Sequence, residues 1–227
     1  MLVHGGGPEI DKLLNKIGKT SEFINGLRYT DEETAEVVEM VLAGKINKEL
    51  VSLIGNNGGK AIGLSGMDGS MLKVKKMQGD IDLGYVGEVE DVNTDVIENL
   101  LEKRYISVVG TVTTGADGKI YNVNADTAAA KIAAALKAEK IILLTDVPGL
   151  LTDLEDETTL ISKVGVNDID ELIEKEIIGG GMIPKIACCV DAVKDGVNRA
   201  HIIDGRVPHS LLLELFSKDG IGTMIEG

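Results

Sequence analysis

Residues 118–136 read GKIYNVNADTAAAKIAAAL, a short polar segment followed by an alanine-rich run. The run consists almost entirely of strong helix formers, and its small side chains let neighbouring elements pack closely against the helix it predicts. Asn124 or Asp126 lies where the N-cap is expected. Polar residues at this position are often only caps, but they also lie where a helix N-terminus favours anions. The rest of the chain decides between these interpretations.

The composition indicates a soluble globular protein that does not bind nucleic acid. The chain has 227 residues, 44% apolar and 26% charged, enough for one substantial domain or two lobes. Aromatic residues are 3% of the chain, which argues against base stacking. The net charge of −14, without a basic tract, argues against nucleic acid or anionic membranes as partners. Any site for an anionic substrate must therefore be locally positive.

The sequence shows no sign of export or membrane insertion. It has no run of about 18 apolar residues, and residues 1–7, MLVHGGG, lack the basic start and apolar core of a signal peptide. Cys188 and Cys189 are adjacent, which makes a poor disulfide or metal pair. We expect a cytoplasmic protein without a metal-ligand cluster.

Two glycine triplets precede predicted helices. The first, in HGGGP at residues 4–8, lies between a predicted strand and a predicted helix at 9–17. One glycine would suffice for a plain turn, so three favour an anion-binding loop. The second, at residues 179–181, precedes a helix predicted at 184–194 with Lys185 in its first turn. A lysine is unfavourable at the positive end of a helix unless an anion is bound there, although it could also extend into solvent.

Arg28 lies in a punctuated loop just before a predicted helix at 31–43. Thr30 and Glu33 have the spacing of a capping box at the start of that helix. A guanidinium in this loop could bind a carboxylate through two parallel hydrogen bonds. Most loop arginines are merely solvated, so this signal is weak by itself.

Apolar strands alternate with helices along most of the chain, as in sheets covered on both faces. Strands are predicted at 1–3, 61–65, 105–112, 140–146, 200–204 and 222–225, a hairpin at 72–77 and 84–89, and further helices at 46–54, 91–104, 127–136, 167–176 and 210–216. We predict an α/β three-layer αβα sandwich with a largely parallel central sheet and two lobes, residues 1–138 and 139–227. Two anion sites at helix starts are typical of phosphoryl transfer, which depends on positioning and positive charge.

Seven stretches resemble, in order, the acetylglutamate kinases of the amino-acid kinase family. They are HGGGP at 4–8, NGLRYTD at 25–31, GLSGMDG at 63–69, YNVNADTAA at 121–129, LLTDVPGL at 143–150, GGGMIPK at 179–185 and DGRVPHS…E…DGIGTM at 204–224. The resemblance implies ATP-dependent phosphorylation of the γ-carboxylate of N-acetyl-L-glutamate in arginine biosynthesis. It also implies Mg²⁺ held mainly by phosphates and waters, and a homodimer or higher homo-oligomer built through the N-terminal lobe.

The resemblance further implies roles for individual residues. Gly6, Gly7, Arg28 and Asn122 would bind the substrate, with Arg28 on a carboxylate and Asn122 on the other side. Lys185 would stabilise charge on the phosphoryl group. Asp126 would orient the catalytic lysine rather than act as a base, because a carboxylate substrate is already ionised at neutral pH. The ATP pocket would be lined by Asp146, Val147, Pro148, Gly149, Leu150, Leu151, Ile177, Ile178 and Gly179.

The sequence departs from the family at its start. The family opens with a strand ending in a lysine–x–glycine–glycine loop, whose lysine also contacts the phosphoryl group, whereas this sequence begins at Met1 inside the following strand. Three explanations are open: the sequence is a fragment, its start is misassigned, or the protein has lost the loop. Each of them predicts poor turnover by residues 1–227 alone. His209, Glu214 and Gly220 resemble the effector region of arginine-sensitive members.

Three alternative functions remain at this stage. Another amino-acid kinase would share the glycine loops, but NGLRYTD together with YNVNAD argues against it. A Rossmann dehydrogenase would need a GxGxxG turn after a strand, which the sequence lacks. A catalytically impaired ligand-binding module is the third alternative.

Overall fold

The computed structural model describes residues 1–153, 155–217 and 220–227 and divides into two compact units. Unit 1 is Met1–Ile132 and unit 2 is Ala133–Gly227, so the division falls inside the alanine-rich helix. The assignment of substrate binding and dimerisation to a first lobe, and of ATP binding to a second, stays a prediction.

Unit 1 is built around a parallel sheet. Its elements are β1 (Leu2–His4), α1 (Gly7–Lys16), β2 (Phe23–Ile24), β3 (Leu27–Arg28), α2 (Glu32–Glu39), α3 (Asn47–Asn56), β4 (Ala61–Ser65), β5 (Leu72–Lys76), β6 (Gly87–Val92), α4 (Asp95–Glu102), β7 (Ile106–Gly110), β8 (Val112–Thr114), β9 (Ile120–Asn122) and α5 (Ala125–Ala135). The sheet has the order β1-β7-β4, with both pairings parallel. His4 and Ser65 both pair with Gly110, so the carboxyl ends of the three strands are level at one edge.

A buried apolar cluster in unit 1 joins α1, the helical region after Arg28 and strand β8. Ile10 and Leu14 of α1 pack with Val38, Leu42 and Val112 in one buried cluster. The central strand β7 is buried at every residue after its first, as the apolar sequence predicted.

The helical region after Arg28 differs from the prediction in two ways. Asp31, not Thr30, caps α2, because its carboxylate accepts a hydrogen bond from Thr34 N at 2.8 Å. The two predicted helices are joined by a π-helical segment, Met40–Ile46, rather than separated by a loop. At the end of that segment Asn47 is fully buried, and its Nδ2 donates to Leu64 O and Val108 O of the sheet.

Unit 2 contains a mixed four-stranded sheet. Its elements are β10 (Lys140–Thr145), β11 (Lys163–Gly165), α6 (Ile169–Glu174), α7 (Met182–Lys194), β12 (Arg199–Asp204), α8 (Ser210–Phe216) and β13 (Thr223–Glu226). The strand order is β10-β12-β13-β11; the outer pairs are parallel and β12 with β13 is antiparallel. Ile186, Ile202 and Ile225 are completely or almost completely buried.

The fold class agrees with the prediction, while several helix starts shift. Parallel pairing dominates the two sheets, and β5 and β6 form the predicted antiparallel pair. α7 begins at Met182, two residues before the predicted start at Pro184, whereas α8 begins at Ser210 as predicted, with His209 as its N-cap. None of the helices in the described ranges is long and apolar enough to cross a bilayer.

Candidate active site

A pocket of about 190 Å³ lies in unit 1 at the carboxyl edge of the parallel sheet. Ligands of open α/β sheets bind at this edge. The glycine loop after β1, Thr111 after β7, the β2–β3 hairpin and the segment before α5 contribute most of its walls. The lining residues are Gly5, Gly6, Gly7, Ile10, Phe23, Gly26, Leu27, Arg28, Leu42, Val86, Thr111, Asn122, Val123, Asn124 and Ala125.

The glycine loop is the N-terminus of α1. Gly6 is the N-cap and has no side chain to satisfy the first N–H groups of the helix. A Cβ on Gly6 would overlap the Cδ1 of Ile46 and come within 2.9 Å of the Cδ2 of Leu42, so a larger residue would require these side chains to shift. The first N–H groups and the helix dipole together favour an anion in the pocket.

His4 fixes the start of this loop. Its Nδ1 lies 2.9 Å from Gly5 O, and its Nε2 lies 3.3 Å from Asn47 Nδ2. An Nδ1–H that donates to Gly5 O satisfies the shorter contact, and Nε2 shares the two Asn47 Nδ2 protons with the carbonyls of Leu64 and Val108. Burial lowers the pKa of His4, and the hydrogen bond to Gly5 offsets this only in part. The neutral imidazole therefore holds the loop at neutral pH.

Arg28 lies in the pocket wall and is almost fully buried. It is 6% exposed, its Nη1 donates to Asp11 Oδ1 at 2.5 Å and to Ser21 Oγ, and its Nη2 donates to Gly7 O at 3.3 Å. Its Cζ lies 4.6 Å from the centre of the Phe23 ring. These contacts tie the hairpin to α1 and hold a positive charge at the pocket.

The ion pair changes the pKa of its acidic partner. The Arg28 hydrogen bond lowers the pKa of the Asp11 carboxyl, opposed by partial burial and aided by the hydrogen bond from Ser21. Asp11 is 37% exposed, whereas Arg28 is nearly enclosed, so the carboxylate lies on the solvent side of the pair.

The polar segment before α5 supplies another part of the pocket wall. Asn122 lines the pocket, and its Nδ2 donates to Thr30 Oγ1 at 3.3 Å. Asn124 is the cap of α5, because its Oδ1 accepts from Thr127 N at 3.0 Å. Asp126 lies in the first turn of that helix, where a carboxylate is favourable to the dipole. Of the two cap candidates, the structure therefore selects Asn124.

Four of the predicted substrate residues meet at this one pocket. Gly6, Gly7, Arg28 and Asn122 all line it. Asp126 lies one residue beyond the last lining residue along α5. The role of each toward a substrate stays a prediction.

The predicted nucleotide residues of unit 2 follow the carboxyl end of β10. Asp146 is exposed, and Val147 and Pro148 are half-buried. Leu150 and Leu151 are 2% and 7% exposed, and Leu150 N donates to Thr223 Oγ1 at 2.8 Å. The side chains of Leu150 and Leu151 thus belong to the core of unit 2. Only the backbone groups of these two residues could contact a nucleotide.

The second group of predicted nucleotide residues precedes α7. Ile177 is half-buried, Ile178 is 2% exposed and Gly179 is exposed. Lys185 is half-buried in the first turns of α7, which begins at Met182. The start of α7 thus carries the cation near the positive helix end, as the sequence predicted.

Sequence reasoning missed Arg206, which lies beside the predicted nucleotide loop. Its Nη2 donates to Asp204 Oδ2 at 2.8 Å and its Nε to Asp204 Oδ1 at 3.0 Å, at the carboxyl end of β12. That end pairs with the end of β10, since Thr145 is opposite Asp204. The sequence signal for Arg206 was the DGR motif at 204–206, because this motif follows a strand next to the predicted nucleotide loop.

The residues that hold Arg28 were also missed. Asp11 lies one helical turn after Gly7, which places both on the same side of α1. Thr30 was assigned to a cap, whereas its hydroxyl donates to Arg28 O. Ser21 had no sequence signal, because a single serine in a loop indicates no particular partner.

The described ranges contain no group of three or more His, Cys, Asp or Glu side chains placed to hold a metal ion. Positive and neutral donors dominate the pocket of unit 1, and this chemistry suits an anionic small molecule.

Comparisons with known proteins agree with this geometry. The sequence pattern of the amino acid kinase family matches residues 1–204. An acetylglutamate kinase from Clostridium beijerinckii is 62% identical over 226 residues, which are 99% of this chain and 79% of that protein. One from Caldanaerobacter subterraneus is 60% identical over 225 residues, covering 99% of this chain and 75% of that protein.

A solved structure is similar in fold over almost the whole chain. The crystal structure of smu.665 from Streptococcus mutans UA159 superposes with a TM-score of 0.83 at 31% identity, covering 99% of this chain and 84% of that one. The family pattern and the curated relatives both extend over both units. The chain therefore belongs to the amino acid kinase family and groups there with the acetylglutamate kinases.

Proposed function

We propose that the protein is an acetylglutamate kinase that uses ATP to phosphorylate the γ-carboxylate of N-acetyl-L-glutamate. The observation that carries this proposal is the 62% identity to a curated acetylglutamate kinase across 99% of the chain. The reaction fits a cytoplasmic enzyme of arginine biosynthesis.

The transfer requires no nucleophilic side chain. A γ-carboxylate oxygen attacks the γ-phosphorus of ATP, the bond to the β,γ-bridging oxygen breaks, and ADP leaves with the electron pair. The product is an acyl phosphate. Because the carboxylate is already ionised at neutral pH, the enzyme needs to position and neutralise charge rather than remove a proton.

The pocket of unit 1 provides donors for a substrate with two carboxylates. The N–H groups of the glycine loop would hold the γ-carboxylate and the phosphoryl group that is transferred to it. Arg28 would hold the other carboxylate, with Asn122 across the pocket. Against a net charge of −14, the glycine-loop N–H groups and Arg28 are the donors that would form the local positive region an acidic substrate requires.

Unit 2 would bind the nucleotide. Asp146–Leu151 and Ile177–Gly179 would line the ATP pocket, mainly through backbone where side chains are buried. Mg²⁺ would be held by phosphates and waters. Lys185 would stabilise charge on the phosphoryl group, and Asp126 would orient the catalytic lysine. We also propose a homodimer or higher homo-oligomer through unit 1.

The test is ADP formation by the purified protein with ATP, Mg²⁺ and one acid at a time. N-acetyl-L-glutamate should support a rate at least tenfold above N-acetyl-L-aspartate, L-aspartate and carbamate. Equal rates with one of the other acids would assign the protein to another branch of the family. Binding of N-acetyl-L-glutamate without ADP formation would favour the ligand-binding module.

A further inference from the structure

Thr30 is fully buried between two residues of the pocket wall, Arg28 and Asn122. Its Oγ1 donates to Arg28 O at 2.9 Å, and Asn122 Nδ2 lies 3.3 Å from the same oxygen. A threonine hydroxyl carries one proton, and a backbone carbonyl can only accept. Because the proton is committed to Arg28 O, Thr30 Oγ1 can only accept from Asn122.

This constraint determines which way the Asn122 amide faces. Its NH₂ group must point toward Thr30, so its Oδ1 lies on the other side of the amide. Oδ1 has no hydrogen-bond partner among the described residues, and Asn122 lines the pocket. The segment before α5 therefore presents an acceptor to the pocket, while Arg28 and the glycine loop present donors.

We propose that Thr30 is a positioning residue that holds Asn122 with its carbonyl oxygen toward the pocket, so that the site selects substrates carrying an N–H donor. This inference rests on the proposed function, because the acetamido group of N-acetyl-L-glutamate carries such a donor. An acid of the same shape without the N–H would leave the Asn122 oxygen unpaired, which costs binding energy.

The backbone around Thr30 is held independently of its hydroxyl. Thr30 N donates to Leu83 O at 3.0 Å, Tyr85 N to Thr30 O at 2.6 Å, and Asn122 N to Tyr85 O at 2.9 Å. Gly84 has φ +73°, and a Cβ there would overlap Thr30 O. Thr30 and Asn122 thus stay on either side of residues 83–85 when the hydroxyl is removed.

Thr30→Val removes the hydroxyl and preserves the shape of the side chain, and Thr30→Ser is the matched control that retains it. Calorimetry would measure the dissociation constants of N-acetyl-L-glutamate and of its ester isostere, 2-acetoxyglutarate, in which oxygen replaces N–H. We expect the wild type and Thr30→Ser to bind the amide roughly tenfold or more tightly than the ester. In Thr30→Val the Asn122 amide can turn, so this ratio should fall several-fold.

An unchanged ratio in a folded Thr30→Val protein would overturn the proposal. An equal loss of affinity for both ligands is one form of this result, and it indicates a structural role. If Thr30→Val does not fold, Thr30→Ala removes the hydroxyl without adding volume and takes its place. Failure of the proposed function is distinguishable, because the wild type would then not bind N-acetyl-L-glutamate.

Discussion

At the residue scale, Arg28 combines two tasks. Its guanidinium holds Asp11, Ser21 and the Gly7 carbonyl while lying in the wall of the pocket. The guanidinium is buried, while its carboxylate partner Asp11 is partly exposed.

We expect Arg28→Ala to weaken N-acetyl-L-glutamate binding by about 2–4 kcal/mol and to leave ATP binding nearly intact. Calorimetry with each ligand separately measures both. Arg28→Lys is the control, since it keeps the charge but loses the planar fork, and it should lie between the wild type and alanine. Equal losses for the two ligands would indicate a folding defect instead.

For Lys185 we expect an effect on turnover rather than on binding. Lys185→Ala should lower kcat roughly 10²-fold or more with smaller changes in KM, because the ammonium acts on charge that develops in the transition state. Steady-state kinetics in ATP and in N-acetyl-L-glutamate provide both constants. An unchanged kcat would mean that Lys185 takes no part in the transfer.

At the element scale, we expect two different residues at the start of α5 to cap the helix and to act in catalysis. Asn124 Oδ1 accepts from Thr127 N, so the cap does not depend on Asp126. Asp126→Asn should keep thermal stability and lower turnover, because an amide anchors an ammonium less well than a carboxylate. Asn124→Ala should instead destabilise the protein by about 1 kcal/mol. Melting curves and kcat for both variants check this, and lost stability with full activity in Asp126→Asn would contradict it.

Asp31, the N-cap of α2, is expected to make the stability of the protein depend on pH. Partial burial raises the pKa of Asp31, but hydrogen bonds from Lys19 and Thr34 outweigh this and lower it from 3.8 to about 2. A lowered folded-state pKa contributes stability that is present above the unfolded value and is lost as pH falls through the folded value. Asp31 therefore stabilises the fold above pH 3.8 and ceases to do so near pH 2.

Asp31→Asn keeps a capping oxygen and removes the ion pair with Lys19. The stability difference between the wild type and Asp31→Asn should be largest near neutral pH and should shrink as the pH falls from about 4 toward 2. Urea unfolding at several pH values measures it. A difference that is constant with pH would show that the charge of Asp31 contributes nothing.

Some of the elements could be predicted from the sequence, and others could not. The parallel strand β7 and the alanine-rich α5 were predictable, because local composition determines them. The cap was assigned one residue early, because Thr30 Oγ1 contacts Arg28 O and Asn122 Nδ2 rather than an N–H group of α2. The π-helical segment Met40–Ile46 had no local signal, since it depends on packing against the rest of unit 1.

At the scale of the whole molecule, the candidate site was predictable in its motifs and not in its contacts. The glycine loop, Arg28 and Asn122 were each identified from short motifs, and the structure places them around one pocket. The pair between Arg28 and Asp11 joins residues 17 positions apart and could not be foreseen. The buried pair of His201 Nδ1 and Glu214 Oε1, at 2.6 Å, was likewise not predicted, although Glu214 had been noted with His209.

The central claim is that the protein transfers a phosphoryl group to the γ-carboxylate of N-acetyl-L-glutamate. Trapping with hydroxylamine tests it most directly, because acyl phosphates react to form hydroxamates whereas phosphate esters do not. With ATP, Mg²⁺ and N-acetyl-L-glutamate, we expect one hydroxamate per ADP formed, at the γ-position by mass spectrometry, and strongly reduced formation in Arg28→Ala. ADP released without hydroxamate, or a hydroxamate at the α-carboxylate, would contradict the account.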